Sequence, residues 1–307
     1  MLNTNLTVIM PNYNDAEYIV TAVEGVLNQR YPAQEIIIID DGSTDNSVEI
    51  IRSLAIKFPQ IKLLINEKNH GVCYSFNKAL THTTTDFVCF VSMDDANHPD
   101  WLAKSMLMLA TFPQAAICCS NLYHEYRAEN RLDPIKTVPF DTTHPVFISG
   151  RDYTHQIGAG YIPGTTAVLK TRALTELGGY REDLKWHSDW FAWHVIAMRY
   201  GCCYIPEPLV TLQVRMTSHS SVGIGNWEEQ RKVLYNMYKT VNSKEFLDVL
   251  PNFIWGNLFA HFGRNIAKAY LENPDLWSAT NYLMARTMLD ADTISKLPSL
   301  VPTALPG

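Results

Sequence analysis

No block of Lys and Arg occurs in the 307-residue chain, and its 25 basic residues are outnumbered by 31 acidic ones, for a net charge of −6. Without a basic stripe there is little to neutralise phosphates, so no nucleic-acid partner is expected. No apolar run approaches the ~18 residues of a membrane-crossing helix. The opening residues Met1-Leu-Asn-Thr-Asn-Leu-Thr7 lack a basic stretch followed by an apolar one, so no secretory signal is expected. Cysteine is sparse: Cys73, Cys89, Cys118, Cys119, Cys202 and Cys203 are too few for a disulfide scaffold, and no CxxC pair is present. The two Cys-Cys pairs lie in apolar, strand-like runs and are expected to be buried small hydrophobes. Reduced thiols fit a cytoplasmic protein.

Several catalytic signatures are also missing. There is no GxGxxG after a strand and no phosphate loop ending in Gly-Lys-Ser/Thr. Gly158-Ala-Gly-Tyr-Ile-Pro-Gly164 is only a near miss. Neither HExxH nor GxSxG occurs, which excludes those metalloprotease and hydrolase classes. What is present is an ordinary globular composition, 47% apolar and 18% charged, with material for a large core.

The first 120 residues alternate between two periods. Leu6–Met10 is a short apolar run ending at Pro11, and Ile19, Ala22, Val23, Val26 and Leu27 then recur at helical spacing. Glu35–Ile39 carries four consecutive isoleucines into Asp40-Asp41-Gly42, as a strand buried on both faces would. Val48 to Phe58 reads as a helix, Ile61–Ile65 as a strand, Val72 to Thr83 as a helix and Phe87–Val91 as a strand entering Ser92-Met93-Asp94-Asp95. A helix over 100–110 and a strand over 115–119 follow. This alternation predicts βαβ units and a doubly wound, mostly parallel sheet flanked by helices. Residues 121–164 read as loops and short strands, 165–169 as a strand, 172–177 as a short helix stopped by Gly178-Gly179, and 189–200 as a helix. Two strand-like runs, 202–205 and 209–215, precede a helical stretch from Trp227 to about Asp290.

Ligands of such sheets bind beyond the carboxyl ends of the strands. Three polar clusters fall there: Pro11–Asp15, Asp40–Asp45 and Asp94–Asp95. Paired carboxylates repel unless a cation sits beside them, so Asp94-Asp95 suits Mg²⁺ or Mn²⁺ held with substrate phosphates; a solvated turn is the alternative. Asp41 can accept hydrogen bonds from a base or ribose, or the Asp40-Asp41-Gly42-Ser43 turn simply caps a helix. Tyr13 offers a ring for stacking a base, or packs in a turn.

Taken together, Val8-Ile-Met-Pro-Asn-Tyr-Asn14, Ile39-Asp-Asp-Gly-Ser-Thr-Asp45, Asn69-His-Gly71 with Asn77, and Ser92-Met-Asp-Asp95 resemble the family 2 glycosyltransferases. Those are inverting enzymes of the GT-A fold. The resemblance runs through residues 6–120 and more loosely to about 220. It implies a nucleotide-sugar donor, expected to be a UDP-sugar, a divalent cation (Mn²⁺ or Mg²⁺), and a glycan or lipid-linked acceptor, as in polysaccharide biosynthesis. It implies donor contacts from Pro11, Tyr13, Asp41, Asn69, Gly71, Asn77 and Asp94, and metal ligation by Asp95. Gly178-Gly-Tyr-Arg-Glu-Asp-Leu184 and His187-Ser-Asp-Trp190 are similar to the family's Gly-Gly-aromatic segment and to its Glu-Asp motif. Asp189 takes the position of the catalytic base; Ser188 stands where the family has Glu, and Glu182 and Asp183 are fallback bases. The simpler alternative is that Asp189 caps the helix at Trp190. Leu212-Gln-Val-Arg-Met-Thr-Ser-His219 is similar to a late Arg/His segment, implying Arg215 at the diphosphate and His219 at the metal. Gln213-Val-Arg215 lacks the spacing and the Trp of the processive members, so a non-processive enzyme is expected.

The expected organisation is a GT-A domain over 1–222, split into a nucleotide-sugar half (1–120) and an acceptor half (121–222). A helical C-terminal region (223–291) and a Pro-containing tail or linker (292–307) complete it. Phe246, Leu247, Leu250, Phe253, Ile254, Leu258, Phe259 and Phe262 are expected to pack on the sheet domain. A homodimer through the C-terminal helices, or peripheral contact with the inner face of the membrane, is the other use of that face. Two other functions stay open: a non-catalytic nucleotide-sugar-binding module, and a nucleotidyltransferase, against which the loop Pro11–Asp15 has neither Gly nor Lys.

Overall fold

The structure is a computed structural model and describes residues 5–215, 219–285 and 288–289. Its strands are β1 (Leu6–Asn12), β2 (Glu35–Asp40), β3 (Ile61–Ile65), β4 (Phe87–Phe90), β5 (Ala96–Asn97), β6 (Ile117–Tyr126), β7 (Arg131–Ile135), β8 (Val146–Ile148), β9 (Val168–Lys170) and β10 (Cys202–Gln213). The helices are α1 (Ile19–Leu27), α2 (Ser47–Lys57), α3 (Val72–Thr81), α4 (Trp101–Thr111), α5 (Gly150–Ile157), α6 (Thr171–Glu176), α7 (Ser188–Tyr200), α8 (His219–Gly225), α9 (Trp227–Val241), α10 (Leu250–Trp255), α11 (Arg264–Leu271) and α12 (Ala279–Ala285).

One ten-stranded sheet runs β3-β2-β1-β4-β9-β6-β10-β5, with β7 beside β6 and β8 beside β10. Strands β3, β2, β1 and β4 are mutually parallel. The parallel order then breaks: β9 runs antiparallel between β4 and β6, and β6 and β10 are parallel again. The four isoleucines of β2 explain themselves here. Ile36 and Ile38 enter the core with α1, α2 and α4; Ile37 and Ile39 enter the core on the opposite face, and all four are buried. A strand covered on both sides by helices has no polar face to keep.

The second core is continuous from the sheet through α3, α5 and α7 into the C-terminal helices. Phe246, Phe253, Leu258 and Phe259 are fully buried there, whereas Leu247 and Trp255 are exposed. Among the described residues no helix is long and apolar enough to cross a membrane.

Three details differ from the sequence reading. Strand β6 extends to Tyr126, and α5 occupies part of the stretch read as loops; its face is mostly polar, its start is capped by Ser149 accepting from the Asp152 amide at 3.2 Å, and Tyr153, Thr154 and Ile157 alone are buried. The two late runs are one strand, β10, interrupted by register shifts around Pro208. The long C-terminal helical stretch is one good helix, α9, followed by short pieces broken at Asn257 and Gly263, both at positive φ. Residues 1–4, 216–218, 286–287 and 290–307, the last including the expected tail, lie outside the described residues.

Candidate active site

The carboxyl ends of β2, β1 and β4 are adjacent, so the three polar clusters meet on one edge of the sheet. Asp40 is buried and organises the floor: its Oδ1 accepts from Asn12 Nδ2 (2.8 Å) and Ser43 Oγ (2.6 Å), and its Oδ2 from the Ser43 amide (2.9 Å). Asn14 adopts φ 55° and its Oδ1 accepts from the Thr44 amide at 2.8 Å, tying the β1 loop to the β2 loop. Pro11 stands within β1 opposite Ile39, and Tyr13 is 44% exposed at the rim.

Asp41 is nearly buried. Its Oδ1 accepts from Asn66 Nδ2 (2.7 Å) and the His70 amide (3.0 Å), and its Oδ2 from the Gly71 amide (2.8 Å). Asp41 therefore shapes the 66–71 loop, in which Asn69 Oδ1 also accepts from the Gly71 amide at 3.0 Å. Gly71, at φ 92°, opens α3 in a conformation costly for any residue with a Cβ. Both ends of the Asn77 amide are taken by Tyr180: Oδ1 accepts the Tyr180 amide and Nδ2 donates to the Tyr180 carbonyl, each at 2.7 Å. Asn77 thus fastens the Gly178-Gly179 turn to α3.

Asp94 and Asp95 follow β4. Asp95 is buried and accepts from the Gln213 amide of β10 at 3.2 Å. Burial, and then the Asp94 charge, push its carboxyl up to about 8. Arg215, just beyond β10, pairs with Asp94 Oδ2 at 2.6 Å, lies 3.7 Å from Asp15 Oδ1, and stacks over the Tyr18 ring at 5.5 Å. Burial raises Asp15 above the usual carboxylate range, opposed by Arg215. Asp15 and Tyr18 join the site without having been singled out; Asp15 lay in the Pro11–Asp15 cluster, while Tyr18 carried no signal. Among the described residues no three His, Cys, Asp or Glu side chains gather as a metal site by themselves. The His219 side chain lies outside the described residues, as does its expected metal role.

Asp189 lies in the first turn of α7, where the helix dipole favours a carboxylate. Its Oδ1 accepts from the Trp190 amide at 2.7 Å. Burial nevertheless dominates and pushes it up to about 6. Its other oxygen lies so close to Gly164 that a Cβ there would stand 2.6 Å away. Gly164 opens a turn directly before β9, which runs antiparallel to β4 with Val168 opposite Cys89. That register sets the Gly164 turn, and Asp189 on it, beside the carboxyl end of β4 where Asp94 and Asp95 begin. Ser188 accepts from the Arg181 amide at 2.6 Å. Glu182 and Asp183, the fallback bases, are exposed, and Asp183 pairs with Arg181.

Comparisons with known proteins bear on the family and the fold. The profile of glycosyl transferase family 2 matches residues 7–178, more than half of the chain. An uncharacterized glycosyltransferase of Escherichia coli, YibD, is 29% identical over 212 residues, covering 65% of this chain and 60% of that protein. The putative teichuronic acid biosynthesis glycosyltransferase TuaG of Bacillus subtilis is 36% identical over 101 residues, covering 33% of this chain and 40% of the relative. The matches thus span less than two thirds of these relatives. Two solved structures share the fold. Residues 1–349 of S. aureus TarS, in complex with UDP-GlcNAc, match with a TM-score of 0.61 at 16% identity, over 93% of this chain and 88% of that one. The mannosyltransferase PcManGT of Pyrobaculum calidifontis, with GDP-Man and Mn²⁺, matches with a TM-score of 0.58 at 20% identity, over 92% and 79%. With carboxylates gathered on the sheet edge and the family profile running through them, the chain belongs to glycosyl transferase family 2.

Proposed function

We propose that the enzyme moves a sugar from a UDP-sugar to a hydroxyl of a glycan or lipid-linked acceptor, non-processively and with inversion, Asp189 serving as general base. The observation that carries this reading is Asp189 itself: a carboxylate raised to about 6 by burial, on the edge of the sheet that bears the acidic clusters. A base poised near neutral pH is the better proton acceptor for an alcohol, provided it comes within about 2.6–3.2 Å of the hydroxyl. A single base with direct displacement inverts the anomeric carbon. The TarS complex with UDP-GlcNAc favours a uridine donor, with GDP-sugars as the comparison arm.

The Asp94–Asp95 pair fits a hard divalent cation. Asp95 is buried at a cost that a cation would remove, and one or two carboxylates plus substrate phosphates are how Mg²⁺ is commonly held. Asp95, with Asp94 beside it, would hold Mn²⁺ or Mg²⁺, which supplies Lewis-acid neutralisation of the leaving diphosphate. Arg215 holds Asp94 in place and presents a guanidinium toward the same charge. Asp41 fixes the loop that faces the base, and Tyr13 offers its exposed ring to it. Asp189 takes the acceptor proton as the sugar–phosphate bond breaks.

The test is release of nucleoside diphosphate from UDP-glucose, UDP-galactose, UDP-GlcNAc and GDP-mannose, with Mn²⁺, Mg²⁺ or chelator, water serving as acceptor. Metal-dependent hydrolysis of a uridine donor to the inverted anomer, followed by NMR, is expected. A retained anomer would contradict the single-base mechanism, and chelator-insensitive turnover would contradict the metal.

A further inference from the structure

We infer that Gln230 and His261, both from the C-terminal helices, are positioning residues that hold the two segments on either side of Asp189. The inference rests on Asp189 being the base. Neither residue falls within the family match at 7–178.

The first segment is the turn Glu182–His187, which leads directly into α7. Lys185 there sits at φ 45° and ψ −121°, a conformation that only glycine adopts without strain. Such a residue persists only where its surroundings over-determine it. From α3, Cys73 Sγ donates to the Lys185 carbonyl at 3.4 Å. Further restraints come from α9. Asn236 Nδ2 donates to the Asp183 carbonyl at 3.0 Å, and Glu229 pairs with Lys185. Gln230 is 2% exposed; its Oε1 accepts from Trp186 Nε1 at 2.8 Å and its Nε2 lies 3.0 Å from His187 Nε2. Burial pushes His187 down to about 4, so at neutral pH its ring is uncharged and can accept the Gln230 N–H. A buried amide with both ends matched specifies one arrangement of Trp186-His187, and Asp189 follows two residues later.

The second segment is 158–164, which ends at the glycine beneath the Asp189 carboxylate. His261 makes a polar contact with the backbone of Ala159. Its ring stacks on Trp190 at 5.5 Å and leans against Tyr161 at 5.6 Å. Trp190 is also the residue whose amide donates to Asp189. His261 therefore grips both the loop that forms the carboxylate's seat and the residue that hydrogen-bonds the carboxylate.

The experiment compares Gln230→Met, Gln230→Glu, His261→Phe and Asp189→Asn in the full chain. Donor hydrolysis is followed against pH, UDP binding by calorimetry, and hydrogen exchange over 182–190 and over 35–66. Gln230→Met keeps the length and loses both hydrogen bonds; hydrolysis is expected to fall at least about tenfold, since misplacement by ~1 Å can cost ~100-fold. The acid-limb inflection moves from its wild-type position, while the UDP dissociation constant stays within about twofold. Gln230→Glu keeps an acceptor for Trp186 but has no N–H for His187, so it is expected to recover only part of the rate. His261→Phe keeps the ring packing, loses the polar contact with Ala159 and gives the same pattern, so the inference stands or falls even if Gln230→Met does not fold. Exchange rises over 182–190 in both loss variants and not over 35–66. Wild-type rate and inflection in Gln230→Met and His261→Phe overturn the inference, as does equal loss of UDP binding. If Asp189→Asn itself hydrolyses donor normally, it is the base assignment that has failed.

Discussion

The two carboxylates after β2 and the carboxylate in the first turn of α7 are held in opposite ways. Asp40 and Asp41 are held by Asn12, Ser43, Asn66 and two amides of one loop, all within the first 71 residues and all at the ends of neighbouring parallel strands. Asp189 is seated against Gly164, behind a turn fastened by Cys73, Gln230 and Asn236, next to a tryptophan gripped by His261. The first kind of site is short-range in sequence because strand-end loops lie side by side, and it leaves a motif. The second is assembled by packing across the whole chain, and its supports leave none.

Substitutions can sharpen that contrast. The largest effect after loss of the base is expected from Asp95→Ala, which should lower metal-stimulated turnover about 100-fold or more; titration with Mn²⁺ checks it, and unchanged metal dependence would break the donor-side account. Gly164→Ala comes next. A methyl 2.6 Å from Asp189 Oδ2 must displace that carboxylate, so turnover should drop about tenfold to 100-fold with UDP affinity unchanged by calorimetry. Arg215→Lys should follow, at about tenfold in the KM for donor, because Lys lacks the fork that spans Asp94 and Asp15 and the flat face over Tyr18.

The smallest effect is on stability. Asp189 titrates at about 6 in the fold against 3.8 unperturbed, so the folded chain holds this proton more tightly. Below the lower value the group costs nothing; as pH rises through about 6 its buried charge becomes a cost. Asp189→Asn should therefore raise Tm by a few degrees at pH 8 and leave it unchanged at pH 3.5. An equal shift at both pH values would contradict the burial of a charged base.

Much of the first 120 residues was legible from residues alone. Four isoleucines in a row require a strand covered on both faces, and three acidic clusters after predicted strands require only that the strands be neighbours. The antiparallel β9 was not legible as such, since three residues carry no record of strand direction. Helix α5 was missed because most of its face is polar and its burial rests on Tyr153, Thr154 and Ile157. Asn77 was readable as part of a motif, but its bonds to Tyr180 lie 103 residues away in sequence. Gln230 in α9 and His261 in the turn between α10 and α11 sit in a region whose pattern announces a core and nothing more.

The central claim is that Asp189 is the base, and the pH–rate profile of donor hydrolysis tests it most directly, in the wild type and in Asp189→Asn. The account predicts a wild-type rate that rises through an inflection near 6, with a loss of about 1,000-fold in Asp189→Asn, no inflection there, and UDP binding intact. An Asp189→Asn enzyme that keeps both its rate and that inflection would contradict it.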